Sequence, residues 1–287
     1  MNFQLAAAIP LGAQSFWDEM VNVPFLEWLT NSIVVSVIVV ATIIFLARRA
    51  TRRMQLVPTG TQNVFEAVIS MLYTMLEGIV GKHMIAKTFS LLATLFIYIL
   101  ISNWFGLMPG VGSIGWGERI GPLSLESAEV PLLRPGTADL NTTLGMAAVF
   151  MVMWLYWSIS ELGVGGSLKH IFGTKGGLTG VMALALAPVF FVVGLIEVVS
   201  IGFRPVSLSL RLFGNVFAGE NLLSTMITLG ETLGLPTFLA YISSIIIPIP
   251  FYFLELLIGL LQALVFTLLC AVYIQLSTTH EEGDAHH

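Results

Sequence analysis

A positively charged side chain lies in the middle of a long apolar stretch of this sequence. Arg211 belongs to the segment SLSLRLFGNVFAGE, which covers residues 207–220. An arginine stays protonated at any ordinary pH, and placing it at bilayer depth costs about 2.5–3.5 kcal/mol or more. A leucine would avoid that cost. The residue therefore indicates a function, namely a fixed positive charge beside a path for ions.

Further polar residues share a helical face with this arginine. Residues three and four apart lie on one face of an α-helix, and that spacing joins Glu197, Ser200, Arg204, Ser207, Arg211 and Asn215. Such a stripe must face water, protein or the polar groups of a partner rather than lipid. For its first part an alternative stays open, in which Glu197 and Arg204 form an internal ion pair that only joins helices.

Two carboxylates are expected on a second route. Glu220 follows Arg211 by nine residues, about 180° around a helix, so the two face separate compartments. Glu255 and Gln262 share a face of the last apolar stretch. If the two long stretches pack antiparallel through residues 231–236, Glu255 approaches Glu220 and Gln262 approaches Arg211. Neighbouring carboxylates can hold a proton between them near neutral pH; the alternative is two acids at the lipid edge that never meet.

The remaining polar residues have weaker patterns. Asp139 and Asn141, at the entrance of a helix, either cap that helix or contribute to an external ion funnel.

The five histidines fall in loops or the tail and are expected to be solvated, so neither a metal site nor a cofactor is predicted. The sequence contains no H-E-x-x-H, P-loop or G-x-S-x-G motif, which argues against an intramembrane enzyme.

The composition is that of a membrane protein. Of the 287 residues, 56% are hydrophobic and 10% charged, whereas soluble domains contain about 25% charged residues. Several uncharged runs of about 20 residues are long enough to cross the bilayer as helices. The predicted fold class is all-α, a polytopic helical protein forming a single membrane domain. No basic stripe suits nucleic acid, and the single cysteine, Cys270, excludes an intrachain disulfide.

The order of apolar and polar segments predicts the topology. The expected elements are an external arm (1–27), a first span (28–47), an amphipathic helix on the membrane surface or packed on another subunit (59–80), spans two and three (88–109 and 140–160), and two long tilted helices packed as a hairpin (176–230 and 237–276). Residues 110–138 are expected to form an external loop and residues 161–175 a cytoplasmic one.

The distribution of basic residues orients these elements. Eight of the twelve Lys and Arg residues fall on segments assigned to the cytoplasm, beginning with the cluster Arg48, Arg49, Arg52 and Arg53. Because basic residues concentrate on cytoplasmic loops, the N-terminus is predicted outside and the C-terminus in the cytoplasm. A bacterial plasma (inner) membrane fits this arrangement.

Three segments resemble one known family. LSLRLFGN with the following AGE (208–220), LQALVF (261–266) and PGTADLNTT (135–143) are similar to segments of the a subunit of F-type rotary ATP synthases, and Glu197 falls where that family has a carboxylate. The resemblance extends over most of the chain. It does not include the N-terminal arm or residues 110–134.

The resemblance implies a stator a subunit, not catalytic alone, against which a ring of small hairpin c subunits rotates. The other implied partners are the peripheral-stalk b subunits and the remaining ATP synthase subunits. Arg211 would be the essential cation that faces the ring carboxylate. Glu220, Glu255, Asn215 and Gln262 would line the external half-channel for the ion, expected to be the proton, and Glu197 and Ser200 the internal one. We add Ser207, Asp139 and Asn141 to this pathway as a hypothesis.

A stand-alone secondary ion transporter or channel is the alternative. Such folds usually contain paired repeats and broken helices, and the sequence contains no internal repeat. Purification of the native protein would distinguish the two hypotheses. A transporter would purify alone, whereas a synthase subunit would co-purify with a set of soluble subunits.

Overall fold

The structure is a computed structural model, which describes residues 30–52, 54–57, 60–108, 111, 115–116, 130–131, 133–172 and 181–278. The predicted external arm, most of the predicted loop after residue 109 and the end of the tail lie outside the described residues. Within them the chain forms seven α-helices, two short strands and one 3₁₀ turn. The predicted all-α class is confirmed.

The helices are α1 (Asn31–Thr51), α2 (Thr61–Val80), α3 (Lys82–Gly106), α4 (Leu140–Phe172), α5 (Val181–Thr232), α6 (Thr237–Ile246) and α7 (Pro248–Thr278). The strands β1 (Gly115–Trp116) and β2 (Val130–Pro131) pair antiparallel, and the 3₁₀ turn Gly136–Ala138 precedes α4. In the described parts of the chain, six helical segments are long and apolar enough to cross a membrane, with α6 and α7 counted together. The chain is a multi-pass membrane protein, as predicted.

The second and third helices follow each other with one residue between them. Gly81 ends α2 with φ 84°, a conformation that glycine adopts without the steric cost of a Cβ. Helix α3 therefore begins at Lys82, earlier than the predicted start of the second span at residue 88. Lys87 then lies on a helix, where its ammonium donates to Glu161 of α4 at 2.5 Å.

The amphipathic pattern of α2 is partly explained by contacts within this chain. Leu72, Leu76 and Val80 are buried, whereas Val64 and Met71 are two-thirds exposed. The buried side packs against α3 and α7. Whether α2 lies on the membrane surface stays a prediction.

The fourth helix is longer than the predicted third span. It continues beyond residue 160 to Phe172, with a single interruption at Gly163, where φ is 69° and ψ is 165°. Residues 161–172, expected to be a cytoplasmic loop, are therefore largely helical. The glycines at 165 and 166 do not end the helix.

The longest element is α5, with 52 residues, or about 78 Å at 1.5 Å per residue. Pro188 and Pro205 lie inside it without ending it. A turn at Leu233–Gly234 follows, and Gly234 again takes a positive φ of 69°. Helix α6 starts directly after Pro236.

The last two helices, α6 and α7, contact α5 in reverse chain order. A Cβ added at Gly230 would meet Ala240 and Ser243, one added at Gly219 would meet Glu255, and the Gln262 side chain reaches the backbone of Leu212. Only Ile247, itself in a helical conformation, separates α6 from α7. The break coincides with Pro248 and Pro250, which have no N–H to donate.

The core is formed by α2, α3, α4 and α7, together with Leu208 and Leu212 of α5. Much of the remaining described part of α5 is exposed, although Ser209 and Leu223 are also buried. In its most apolar window 6% of the residues are buried inside this chain, against 44% for α3 and for α6 with α7. An apolar helix of this length must be covered by lipid or by another protein. We call the exposed side of α5 that carries Ser200, Ser207, Arg211 and Asn215 its open side. A functional site is to be sought on this surface.

Candidate ion-conducting site

The helix face that carries Arg211 is open, and the neighbouring face is anchored. Leu208 and Leu212 are 2% and 1% exposed, whereas Arg211 lies at the surface of the chain. Among the residues that the structure describes, none offers a carboxylate within ion-pair distance of the Arg211 guanidinium. The charge is thus available to a group outside this chain.

The predicted polar stripe follows the same open side for most of its length. Ser200, Ser207 and Asn215 are exposed, and Glu197 is half-buried. A stripe of hydroxyl, amide and guanidinium groups is not stable against hydrocarbon. A polar surface of a partner, or water, must therefore meet this side of α5.

Arg204, unlike the rest of the stripe, contacts aromatic rings among the described residues. Its guanidinium carbon lies 4.7 Å from the ring centroid of Tyr273 on α7 and 5.6 Å from that of Trp154 on α4. The Trp154 Nε1–H donates to the Tyr273 carbonyl at 2.9 Å, which joins the two aromatic residues. These aromatic contacts hold Arg204, and the ion pair between Arg204 and Glu197 stays an alternative considered from the sequence.

The side-chain amide of Gln262 joins α7 to α5 at the level of Arg211. Its Nε2 donates to the carbonyl oxygen of Leu212 at 2.6 Å and to that of Arg211 at 3.2 Å. Gln262 is 6% exposed. Because both acceptors are backbone atoms, this contact fixes the helix that carries the guanidinium and leaves the guanidinium itself unoccupied.

A cavity of about 180 Å³ lies beside this contact. Its lining includes Arg211, Asn215 and Gln262, with apolar residues of α5 and α7 around them. That volume is large enough for several water molecules. The cavity therefore leaves space for water beside the open arginine, although most of its lining is apolar.

A second, smaller cavity of about 40 Å³ lies on another side of α5. It is lined by Glu220, Glu255, Asn103 and Gln262, among others. The Glu255 carboxylate packs directly on Gly219, where any Cβ would overlap it. The structure thus brings together the two carboxylates that residue counting paired, and Gln262 borders both cavities.

Arg134 is a site residue that the sequence interpretation did not recognise. It lies in the segment between α3 and α4 that was expected to be an external loop, but its side chain is 3% exposed, and its Nη2 lies 3.8 Å from Glu220 Oε2. The glycine- and proline-rich composition of residues 110–138 favoured a solvated loop. A signal was nevertheless present, since Arg134 directly precedes the segment 135–143 that resembles the opening of the earlier hairpin.

Asp139 caps the N-terminus of α4, and Asn141 supplies a backbone N–H to that cap. Asp139 is 4% exposed, and its Oδ1 accepts the backbone N–H of Asn141 at 3.1 Å, while Oδ2 accepts the Thr142 hydroxyl at 3.3 Å. This is the capping geometry considered from the sequence. The Asn141 side chain is exposed.

Two further polar contacts went unnoticed in the sequence. The hydroxyls of Thr143 and Ser209 share a buried hydrogen bond of 3.0 Å, which ties α4 to the segment of α5 before Arg211. Asn103 Nδ2 donates to the Gly259 carbonyl at 3.2 Å. An amide within an apolar span is a pointer to function or packing, and that signal was available at Asn103.

The described residues contain no cluster of three His, Cys, Asp or Glu side chains that could hold a metal ion. At the other end of α3, Glu161 accepts from Lys87 and lies 3.7 Å from the exposed His83. These charges are separate from the two cavities.

Fold and site together define a class of protein. A multi-pass helical protein with an exposed cation on a long helix, and paired carboxylates behind it, is typical of an ion-translocating membrane component.

The comparisons with known proteins name that component. The family model described as ATP synthase A chain matches residues 31–275. The chain is 29% identical over its whole length to ATP synthase subunit a of Gloeobacter violaceus, covering 96% of that protein. It is 31% identical to the subunit a of Moorella thermoacetica (88% of this chain, 90% of that one) and 32% to that of Aliarcobacter butzleri (89% and 92%).

The chain belongs to the ATP synthase A chain family. The expected membrane-sector subunit of F-type ATP synthase is thereby confirmed, as is an ion-translocating rather than a catalytic part in that complex. Membership of this family argues against the alternative of a stand-alone transporter or channel.

Proposed function

We propose that this chain is the stator subunit that carries two aqueous half-channels and the essential arginine for proton translocation. A ring of small hairpin subunits would rotate against the open side of α5. The observation that carries the proposal is that Arg211 projects from this side without a carboxylate partner in the described part of the chain.

The external half-channel follows from the groups behind Arg211. Glu220 and Glu255 line the smaller cavity, Asn215 lines the larger one, and Gln262 borders both. Protons would pass between these groups to reach the ring. Asp139 and Asn141, at the start of α4, would lie nearer the external entrance.

The internal half-channel would use the other end of the stripe. Glu197 and Ser200 lie three to four turns before Arg211 on the same face of α5, with Ser207 between them and the arginine. Arg211 would then stand where the two routes come closest, and its charge would prevent a proton from passing directly from one to the other.

The electrostatic mechanism needs only one moving charge. A protonated carboxylate on the ring is neutral and can travel through lipid. Beside Arg211 its ionised form gains a cationic partner, so the proton leaves to one half-channel. After it has passed the arginine, the carboxylate takes a proton from the other half-channel. Each charge moved through 100 mV supplies about 2.3 kcal/mol, which is lost if the routes leak.

The orientation and assembly belong to the same proposal. The N-terminus would be outside and the C-terminus in the cytoplasm of a bacterial plasma membrane, because the basic residues are concentrated on the assigned cytoplasmic side. The partners would be the ring of c subunits, the b subunits of the peripheral stalk and the remaining synthase subunits.

Replacement of Arg211 tests the proposal. In inverted vesicles with the complete synthase, Arg211→Ala should abolish proton-driven ATP synthesis and ATP-driven acidification, while the complex still assembles. Arg49→Ala, an exposed arginine at the end of α1, is the matched control and should keep both activities. Full synthesis by the Arg211→Ala enzyme would contradict the proposal. Repeating the acidification with and without sodium tests whether the ion is the proton.

A further inference from the structure

Three charged groups from three parts of the chain lie close together on the side of α5 that faces away from Arg211. Arg134 comes from the segment before the 3₁₀ turn, Glu220 from α5 and Glu255 from α7. The separation of 3.8 Å between Arg134 Nη2 and Glu220 Oε2 is an ion-pair distance, longer than a direct charge-assisted hydrogen bond. The Arg134 side chain is buried, so water screens its charge little.

The cation changes the charge that the two carboxylates can carry. Two ionised carboxylates in a small cavity repel each other, and such pairs tend to retain a proton. Arginine keeps its charge at every ordinary pH. With Arg134 in place, the group has a net charge of −1 when both acids are ionised and 0 when one proton is bound.

The other described residues that line the cavity carry no charge. Helix α3 contributes the amide of Asn103, and α7 contributes Gln262 besides Glu255. Within the described residues that line the cavity, Glu220 and Glu255 are the groups that titrate. Among the described residues, the charged groups of the site are therefore the two acids and Arg134.

We propose that Arg134 is a charge-setting and positioning residue of the external proton route, which limits the Glu220–Glu255 pair to one exchangeable proton. This inference rests on the proposed function. A proton from external water binds one carboxylate oxygen and forms an O–H bond, taking the net charge from −1 to 0. When that O–H bond breaks and the proton passes on to a carboxylate of the ring, the net charge returns to −1.

Removal of the cation should make the pair bind its proton too firmly. In Arg134→Gln the site has a charge of −2 with both acids ionised, so it takes up a proton at a higher external pH and releases it more slowly. Arg134→Lys keeps the charge and should stay close to the unmodified enzyme. The double variant Arg134→Gln with Glu255→Gln restores a net charge of −1 in the ionised state and should recover activity.

The measurement is ATP synthesis by the complete complex in proteoliposomes at a fixed potassium diffusion potential. The pH is varied on the side opposite the soluble sector and held constant on the other. For Arg134→Gln we expect a maximal rate reduced about tenfold and a half-maximal external pH raised by about one unit or more. Lys87→Gln, which removes an ion pair at the other end of α3, is the control and should leave the profile unchanged.

The outcomes separate this inference from the proposed function. If Arg134→Gln has the pH profile of the unmodified enzyme while Arg211→Ala is inactive, the role of Arg134 is wrong and the proposed function stands. If Arg211→Ala is active, the proposed function itself fails. Should Arg134→Gln not assemble, the double variant decides: an assembled and active double variant supports charge balance, and one that is inactive or does not assemble overturns it.

Discussion

The side-chain amide of Gln262 donates hydrogen bonds to the backbone carbonyls of Leu212 and Arg211, at 2.6 Å and 3.2 Å. One side chain on α7 thus holds the turn of α5 that presents the arginine. The backbone is held and the guanidinium is left to face outward. This arrangement explains how a charge can be fixed in position without being neutralised by any residue that the structure describes.

Loss of the Gln262 hydrogen bonds should reduce ATP-driven proton transport more than it reduces assembly of the complex. Gln262→Leu leaves two carbonyl interactions unmade, and each hydrogen bond is worth about 0.5–1.5 kcal/mol. We expect the complex to form and ATP-driven acidification to fall several-fold, because Arg211 is less well positioned. Leu261→Met, on the exposed neighbouring position, is the control. Acidification at the unmodified rate in Gln262→Leu would show that the contact does not position the arginine.

A methyl group at Gly219 should displace Glu255. A Cβ there would overlap the Glu255 carboxylate, whereas a Cβ at Gly145 would meet no atom of the described residues within 4 Å. Gly219→Ala should therefore lower proton-driven ATP synthesis strongly.

Gly145→Ala is the matched control for that variant. It is also a glycine-to-alanine change inside a helix and should be neutral or stabilising by about 0.5–1 kcal/mol. Equal activity in the two variants would mean that the place of Glu255 beside Gly219 is irrelevant to transport.

The aromatic site of Arg204 should contribute to stability. Each cation–π contact is worth about 0.5–1 kcal/mol when exposed and about 2 kcal/mol or more when desolvated. Arg204→Gln should lower the temperature at which the subunit dissociates from the detergent-solubilised complex, and Arg204→Lys should lower it less. An unchanged dissociation temperature for the Gln variant would argue that the contacts with Tyr273 and Trp154 do not hold the helices together.

The buried hydroxyl pair of Thr143 and Ser209 should behave as a coupled unit. Ser209→Ala leaves the Thr143 hydroxyl without this partner and should destabilise the subunit by about 1 kcal/mol. When Thr143→Val is added, the further loss should be smaller than that of Thr143→Val alone. Strict additivity in the same dissociation assay would show that the hydrogen bond carries no energy.

The sequence predicted what helical periodicity and residue counting can predict. Arg211 and its stripe were placed on one face because a helix repeats every 3.6 residues. Counting from the turn after α5 associated Gln262 with Arg211, and the structure has a hydrogen bond there.

The parts that were missed depend on contacts between distant segments. Arg134 lies in a segment whose composition is that of a solvated loop, and only the packing of α5 beside it reveals a buried cation. The interruption at Gly163 is one residue long, so composition alone cannot tell it from the end of a helix. Lys82 begins α3 because Gly81 permits an immediate new start, which no apolar pattern records.

The central claim is that the open side of α5 at Arg211 meets a rotating partner, and cross-linking tests it most directly. Ser207→Cys lies one turn from Arg211 on that side, and the native Cys270 is buried. In the complete complex, a thiol-reactive photo-cross-linker on Ser207→Cys should join this chain to a ring subunit and block ATP-driven acidification. The same reagent on Gly145→Cys should do neither. If the Ser207→Cys chain gives no ring product, or if acidification continues after the product has formed, the account is contradicted.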